Sequence, residues 1–219
     1  MNSSLIQLLV LAGIAVFLIL KLRSVLGSRE GFEKPAVPQD PARPQPKLVP
    51  PVGADGVDLD ITDHAPAGSP AALALAAMKQ AEPGFSVGEF LHGARGAYEM
   101  ILMAFERGDI DPVRPFLADE VEASFTQAIN AREREGQTVE ANFLGLREMT
   151  LSDAEYDPTT RTAEITLRYT GELTSLVRNK AGEIIEGSAT EVKRQRDGWT
   201  FARRMGVQDP NWQLVGTSD

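Results

Sequence analysis

The sequence predicts an α+β domain in which helices come first and cover one face of an antiparallel sheet. Three observations lead there. Apolar residues recur at helical spacing from Phe90 through Ala94, Ala97, Tyr98, Ile101 and Leu102 to Phe105. Beyond Gly136 the period changes to two, with Ala163, Ile165, Leu167 and Tyr169 alternating with polar neighbours as a half-buried strand requires. The stretch that carries both patterns is about 135 residues long, enough for one hydrophobic core.

The chain begins with an apolar run from Leu5 to Leu20, broken only by Gln7. As a helix this run reaches about 24 Å, somewhat short of a hydrocarbon core of about 30 Å, and Leu22, Val25 and Leu26 extend it if Lys21 and Arg23 snorkel. A cleaved signal peptide fits poorly, because no Lys or Arg precedes the run. Residues 1–27 are therefore expected to form a transmembrane anchor with a basic flank. Lys21, Arg23 and Arg29 follow the run, so the positive-inside rule places the rest of the chain in the cytoplasm.

Residues 28–82 are expected to be a disordered tether. Nine of the fourteen prolines fall between Pro35 and Pro70, among Gln, Asp, Ala and Gly, a composition that buries too little apolar surface to offset chain entropy. Within it residues 71–81 are strong helix formers, and Leu73, Leu75 and Met78 make a short, partly apolar helix there a candidate.

The folded domain, residues 83–219, is predicted to open at a capping box of Ser86 and Glu89, with Phe85 and Phe90 as a hydrophobic staple. Gly108 and Asp109 stop the first helix. Asp111 before Pro112 starts a short second one, and Val121, Phe125, Ala128 and Ile129 mark a third that ends at Gly136. Asp157-Pro158, Asn179 to Gly182 and Asp197-Gly198 are turn signals, the last expected to join a strand near residues 189–196 to one at residues 199–203. The result is a β-meander.

Composition narrows the chemistry. There are no cysteines and only two histidines, His64 and His92, so thiolate chemistry is excluded and a histidine zinc site has no basis. A net charge of −9 opposes nucleic-acid binding, which needs clustered cations to neutralise phosphates. Neither a Walker loop nor a Rossmann glycine fingerprint occurs, and no cofactor is expected. Asp109 and Asp111 flank a helix end and a helix start, where Asp is favoured for capping. No catalytic set emerges.

Two groups of residues remain as candidate sites. Gly93 and Gly96 each cost a helix interior about 1 kcal/mol relative to Ala, which points to close packing by a neighbour or to a groove for a partner. With Tyr98, Phe105, Phe125, Tyr169, Trp199 and Phe201 they form the candidate pocket, although aromatics at such spacing are by default core. Lys193, Arg194, Arg196, Arg203 and Arg204 flank the expected Asp197-Gly198 hairpin and are candidates for anionic-lipid contact.

Several motifs taken together resemble the Tim44-like domain. They are Phe90-Leu91-x-Gly93-Ala94-x-x-Ala97-Tyr98-Glu99, Phe105-x-x-Gly108-Asp109, Asp197-x-Trp199-Thr200-Phe201-x-Arg203 and Pro210-Asn211-Trp212-x-Leu214, spread over residues 85–217. An N-terminal anchor followed by a Pro-rich tether looks like the bacterial TimA-type members. The resemblance implies a cone with a curved sheet wrapped around helices, similar to the nuclear-transport-factor-two-like fold. It also implies a non-catalytic adaptor at the inner membrane that binds a membrane protein, a translocating chain or anionic lipid, with a role in membrane-protein assembly or protein transport. The alternative is a ligand-binding or enzymatic cone domain with a hydrophobic pocket, which a buried carboxylate opening into the cone would favour.

Overall fold

The structure, a computed structural model, describes residues 58–218. The expected anchor and the tether up to residue 57 lie outside the described residues. Among those described, no helix is long and apolar enough to cross a membrane.

The tether expectation fails over residues 58–82, which belong to the domain. Helix α1 (Leu59–Thr62) is a single turn, and α2 (Pro70–Ala81) follows with Ser69 as its N-cap and Pro70 in its first turn. In this Ala-rich helix Leu75 and Met78 are completely buried, whereas Leu73 faces solvent. The composition reads as tether because Ala hides the apolar face. The helix nonetheless delivers two large side chains to the core.

Helix α3 (Val87–Arg107) starts at the expected cap, with the Glu89 N–H donating to Ser86 Oγ at 3.3 Å. A second cap comes from α1. The Asp60 carboxylate accepts from the N–H groups of Val87 and Gly88, each at 2.8 Å, and pairs with Lys79 of α2 at 2.8 Å. One side chain thus ties three helices together. Burial opposes ionisation of Asp60, but the hydrogen bonds from Lys79, Gly88 and Val87 outweigh it and hold the carboxyl below its ordinary 3.8. Because the folded-state value is the lower one, Asp60 stabilises the domain fully above about pH 4 and loses that contribution as pH falls through the folded-state value. Asp60→Asn is expected to lower stability at pH 7 by about 1–2 kcal/mol and to flatten the acid limb of a stability–pH curve. Thermal unfolding measured from pH 3 to 7 checks both.

A 3₁₀ segment (Asp111–Phe116) and α4 (Asp119–Glu135) complete the helices, and Gly108 and Gly136 end α3 and α4 in the left-handed conformation at φ 75° and 67°. Arg132 of α4 lies over the Phe105 ring at 4.6 Å and donates to the Phe105 carbonyl at 2.7 Å, near the negative end of α3.

Four antiparallel strands follow in the order β1-β2-β3-β4: β1 (Thr138–Asp157), β2 (Thr162–Arg178), β3 (Ile184–Arg204) and β4 (Gln213–Ser218). This is an α+β domain with an open sheet. Register shifts at Phe143/Gly145, Leu146/Glu148 and Leu151/Asp153 interrupt β1, and such irregularities bend and twist a strand. The turns at residues 158–161 and 179–183 fall where the sequence places them.

The third expected turn does not exist. Asp197 and Gly198 lie within β3, which runs unbroken from Ile184 to Arg204. Two contacts account for these turn-like residues. Asp197 accepts hydrogen bonds from Tyr98 Oη and from Gln195 Nε2, so its carboxylate is used across the core. Gly198 lies opposite Ser218 of β4, where a Cβ would come within 2.4 Å of Ser218 Oγ.

Between α3 and the sheet, Tyr98 stacks on Tyr169 with ring centroids 4.3 Å apart and meets Trp199 at 4.8 Å. Gly171 leaves room for this arrangement, since a Cβ there would be 3.0 Å from Tyr98 Oη. Burial pushes both tyrosines well above the ordinary phenol range, and the Asp197 hydrogen bond and charge add to the effect at Tyr98. They remain neutral packing groups.

Candidate functional site

Beside this core, between the first half of α3 and the segment joining β3 to β4, runs a groove of about 390 Å³. Its apolar lining comes from Phe85, Phe90, Ala94 and Ala97 of the α3 region, Phe116 of the 3₁₀ segment, Phe201 of β3 and Trp212 of the segment before β4. The staple explains half of this wall. Phe85 and Phe90 are buried and both reach Trp212, at 5.9 and 4.6 Å between ring centroids. Phe90 also meets Phe201 edge-on at 6.1 Å.

The polar atoms at the end of the groove are largely spent on one another. Arg203, whose side chain is only 7% exposed, donates to Glu82 at 2.7 Å and to the Pro210 carbonyl at 3.4 Å, and its guanidinium lies 5.3 Å from the Trp212 ring centroid. The other oxygen of Glu82 accepts from the Gly206 N–H at 2.7 Å. Burial opposes ionisation of Glu82, yet the bonds from Gly206 and Arg203 prevail and keep it below the ordinary carboxylate value. Arg203 Nε is buried and lacks a partner. Together these groups pin residues 203–212 to the α2–α3 junction and so hold Trp212 in place.

The candidate pocket residues divide. Gly93 and Phe201 line the groove. Tyr98, Tyr169 and Trp199 are core, at 0, 1 and 4% exposure. Phe105 and Phe125 pack on each other at 4.7 Å near the opposite end of α3 and do not reach the groove. Gly96 lies outside the lining as well. Close packing by a neighbour is not why the glycines are there, since a Cβ at either Gly93 or Gly96 would meet nothing within 4 Å. At Gly93 the absent side chain leaves the groove open.

The five cations expected to share a hairpin end are spread along about 36 Å of strand and over both sheet faces. Trp199, Phe201 and Met205 point into the core, so by alternation Lys193 and Arg203 share their side. Lys193 acts there on Glu106 of α3, whose carboxyl burial raises while Arg132 and Lys193 partly offset the shift. Arg194, Arg196 and Arg204 lie on the other face, and Arg194 is paired with Glu172 at 3.4 Å. No single basic patch results. Arg203→Ala is expected to destabilise the domain by about 2–3 kcal/mol by stranding Glu82, a value discounted because Glu82 is one-quarter exposed. Arg204→Ala should stay within about 0.5 kcal/mol. Urea denaturation of the two variants makes the comparison.

Sequence reasoning missed Trp212, Phe116, Glu82 and Glu89 as groove residues. Trp212 offered a signal, because a lone Trp beside Pro210 and Asn211 in a polar stretch has to find apolar cover.

The match to known proteins agrees with this architecture. The Tim44-like domain model matches residues 71–219, more than half of the chain. The chain belongs to the Tim44-like domain family. The match begins inside α2, in keeping with the place of that helix in the core. No curated protein matches the chain. Among solved structures, the intermembrane space region of the chloroplast protein ARC6 is similar at 11% identity, covering 58% of this chain and 93% of that one with a TM-score of 0.40. That likeness is too distant to bear on function. In this Tim44-like domain the groove is a concave, ring-lined surface among the described residues that a second molecule can reach.

Proposed function

We propose that the protein is a non-catalytic, membrane-tethered adaptor of the bacterial TimA type. Residues 1–27 anchor it in the inner membrane, and the Tim44-like domain on the cytoplasmic side holds a partner in membrane-protein assembly or protein translocation. Family membership supports an adaptor role, since Tim44-like domains serve generally as adaptors. The observation that carries the reading is the groove: an aromatic surface, open at Gly93, whose charged groups Glu82 and Arg203 are bonded to each other, with only Arg203 Nε left without a partner. Glu82 has both oxygens occupied, which leaves the ligand-binding or enzymatic alternative without a free buried carboxylate at this site.

Gly93→Leu separates partner binding from folding. Leu would project into open space and replace a helix-interior glycine, so stability should hold or rise by up to about 1 kcal/mol. Purified from native membranes in mild detergent, wild-type protein is expected to bring down membrane or translocating proteins that the Gly93→Leu variant does not. Equal recovery by both would exclude the groove as the adaptor surface.

A further inference from the structure

The lining of the groove restricts what can occupy it. An α-helix with its side chains is about 10–12 Å across, whereas about 390 Å³ admits only a few side chains. Neither wall is a free strand edge, because one is α3 and the other is the irregular segment at residues 210–212, so strand addition is not offered. What the groove presents is ring surface of the half-buried Phe116 and Trp212, backed by the buried Phe85 and Phe90, with the exposed carboxylate of Glu89 on its rim. Aromatic-lined grooves of this kind suit a polyproline II ribbon, which is narrow, presents proline rings and has little conformational entropy left to lose.

We infer that the groove is a receptor for a proline-rich peptide carrying basic residues, an inference that rests on the adaptor reading and names the chemistry of the partner segment. The chain itself carries an example of that chemistry. Pro35, Pro38, Pro41 and Pro44 recur at every third position, so the three-residue turn of polyproline II would set all four on one ridge. Within residues 34–47 Lys34, Arg43 and Lys47 outweigh Asp40, and the net positive charge is complementary to Glu89. A generic apolar peptide would use the rings but not the carboxylate, and an acidic one would be repelled by it.

The test is calorimetric titration of a synthetic peptide of residues 34–47 into the full chain in detergent. The titrated protein is the Pro35→Ala, Pro38→Ala, Pro41→Ala, Pro44→Ala variant, so that the same motif is absent from the chain. Saturable binding is expected, weakened about tenfold or more by Gly93→Leu and severalfold by Glu89→Lys, and lost when the same four prolines of the peptide are Ala. Thermal unfolding of the Gly93→Leu protein confirms that it is folded. No saturable binding, equal binding of the Ala peptide, or indifference to Gly93→Leu would each overturn the inference. Failure here, with Gly93→Leu still abolishing recovery of membrane proteins, removes the proline-rich ligand and leaves the adaptor. Peptide binding with unchanged recovery does the reverse.

Discussion

Leu75→Ala is expected to destabilise the domain by about 3–5 kcal/mol, a large fraction of the 5–15 kcal/mol typical of a domain this size. Leu75 is fully buried, as is Met78 one turn later, and α2 packs against the long first strand of the sheet. A cavity opened between a helix and a sheet closes poorly, because both walls are held by their own backbone hydrogen bonds. A chain shortened to begin at Phe85 should fare worse. It would lose both side chains, the Asp60 cap on α3 and the Glu82 partner of Arg203 together. Urea denaturation checks both expectations: Leu75→Ala shifts the midpoint with the slope unchanged, and the shortened chain shows no cooperative transition.

Tyr98→Ala is expected to cost about 3–5 kcal/mol, and Tyr98→Phe about 1–2. The two substitutions separate packing from hydrogen bonding. The ring lies between Tyr169, Trp199 and Phe143, and its removal leaves a cavity at the centre of the helix–sheet contact. The Phe variant keeps that packing but strips Asp197 of its Tyr98 donor, leaving Gln195 as its remaining side-chain partner. Calorimetric melting of both proteins measures the split. A Phe variant as unstable as the Ala variant would place the weight on the hydroxyl and its carboxylate.

The capped helices and the alternating strand could be read from local sequence because each rests on nearest-neighbour physics. Ser86 and Glu89, Gly108 and Gly136, and the period of two through Tyr169 act within one turn or one strand. The domain boundary and the third turn could not. Residues 58–82 gain their structure from partners such as Val87, Gly88 and Arg203, which the local composition does not reveal. Asp197-Gly198 has turn chemistry, but contacts with Tyr98 and Ser218, 99 and 20 residues away, hold it in a strand. The groove was half visible for the same reason. Gly93 and Phe201 stood out locally, whereas Trp212 joins them only once Arg203 and Pro210 have positioned its segment.

The central claim, that the groove is where a partner docks, is tested most directly by site-specific photo-crosslinking in intact cells. A photoreactive residue replaces Asn211, an exposed residue at the edge of the groove, in one protein and Gln127, on the exposed polar face of α4, in another. The account predicts a discrete crosslinked protein from position 211, absent from position 127 and lost when Gly93→Leu is added to the same chain. Crosslinks from position 127 alone, or the same product from both positions, would contradict it.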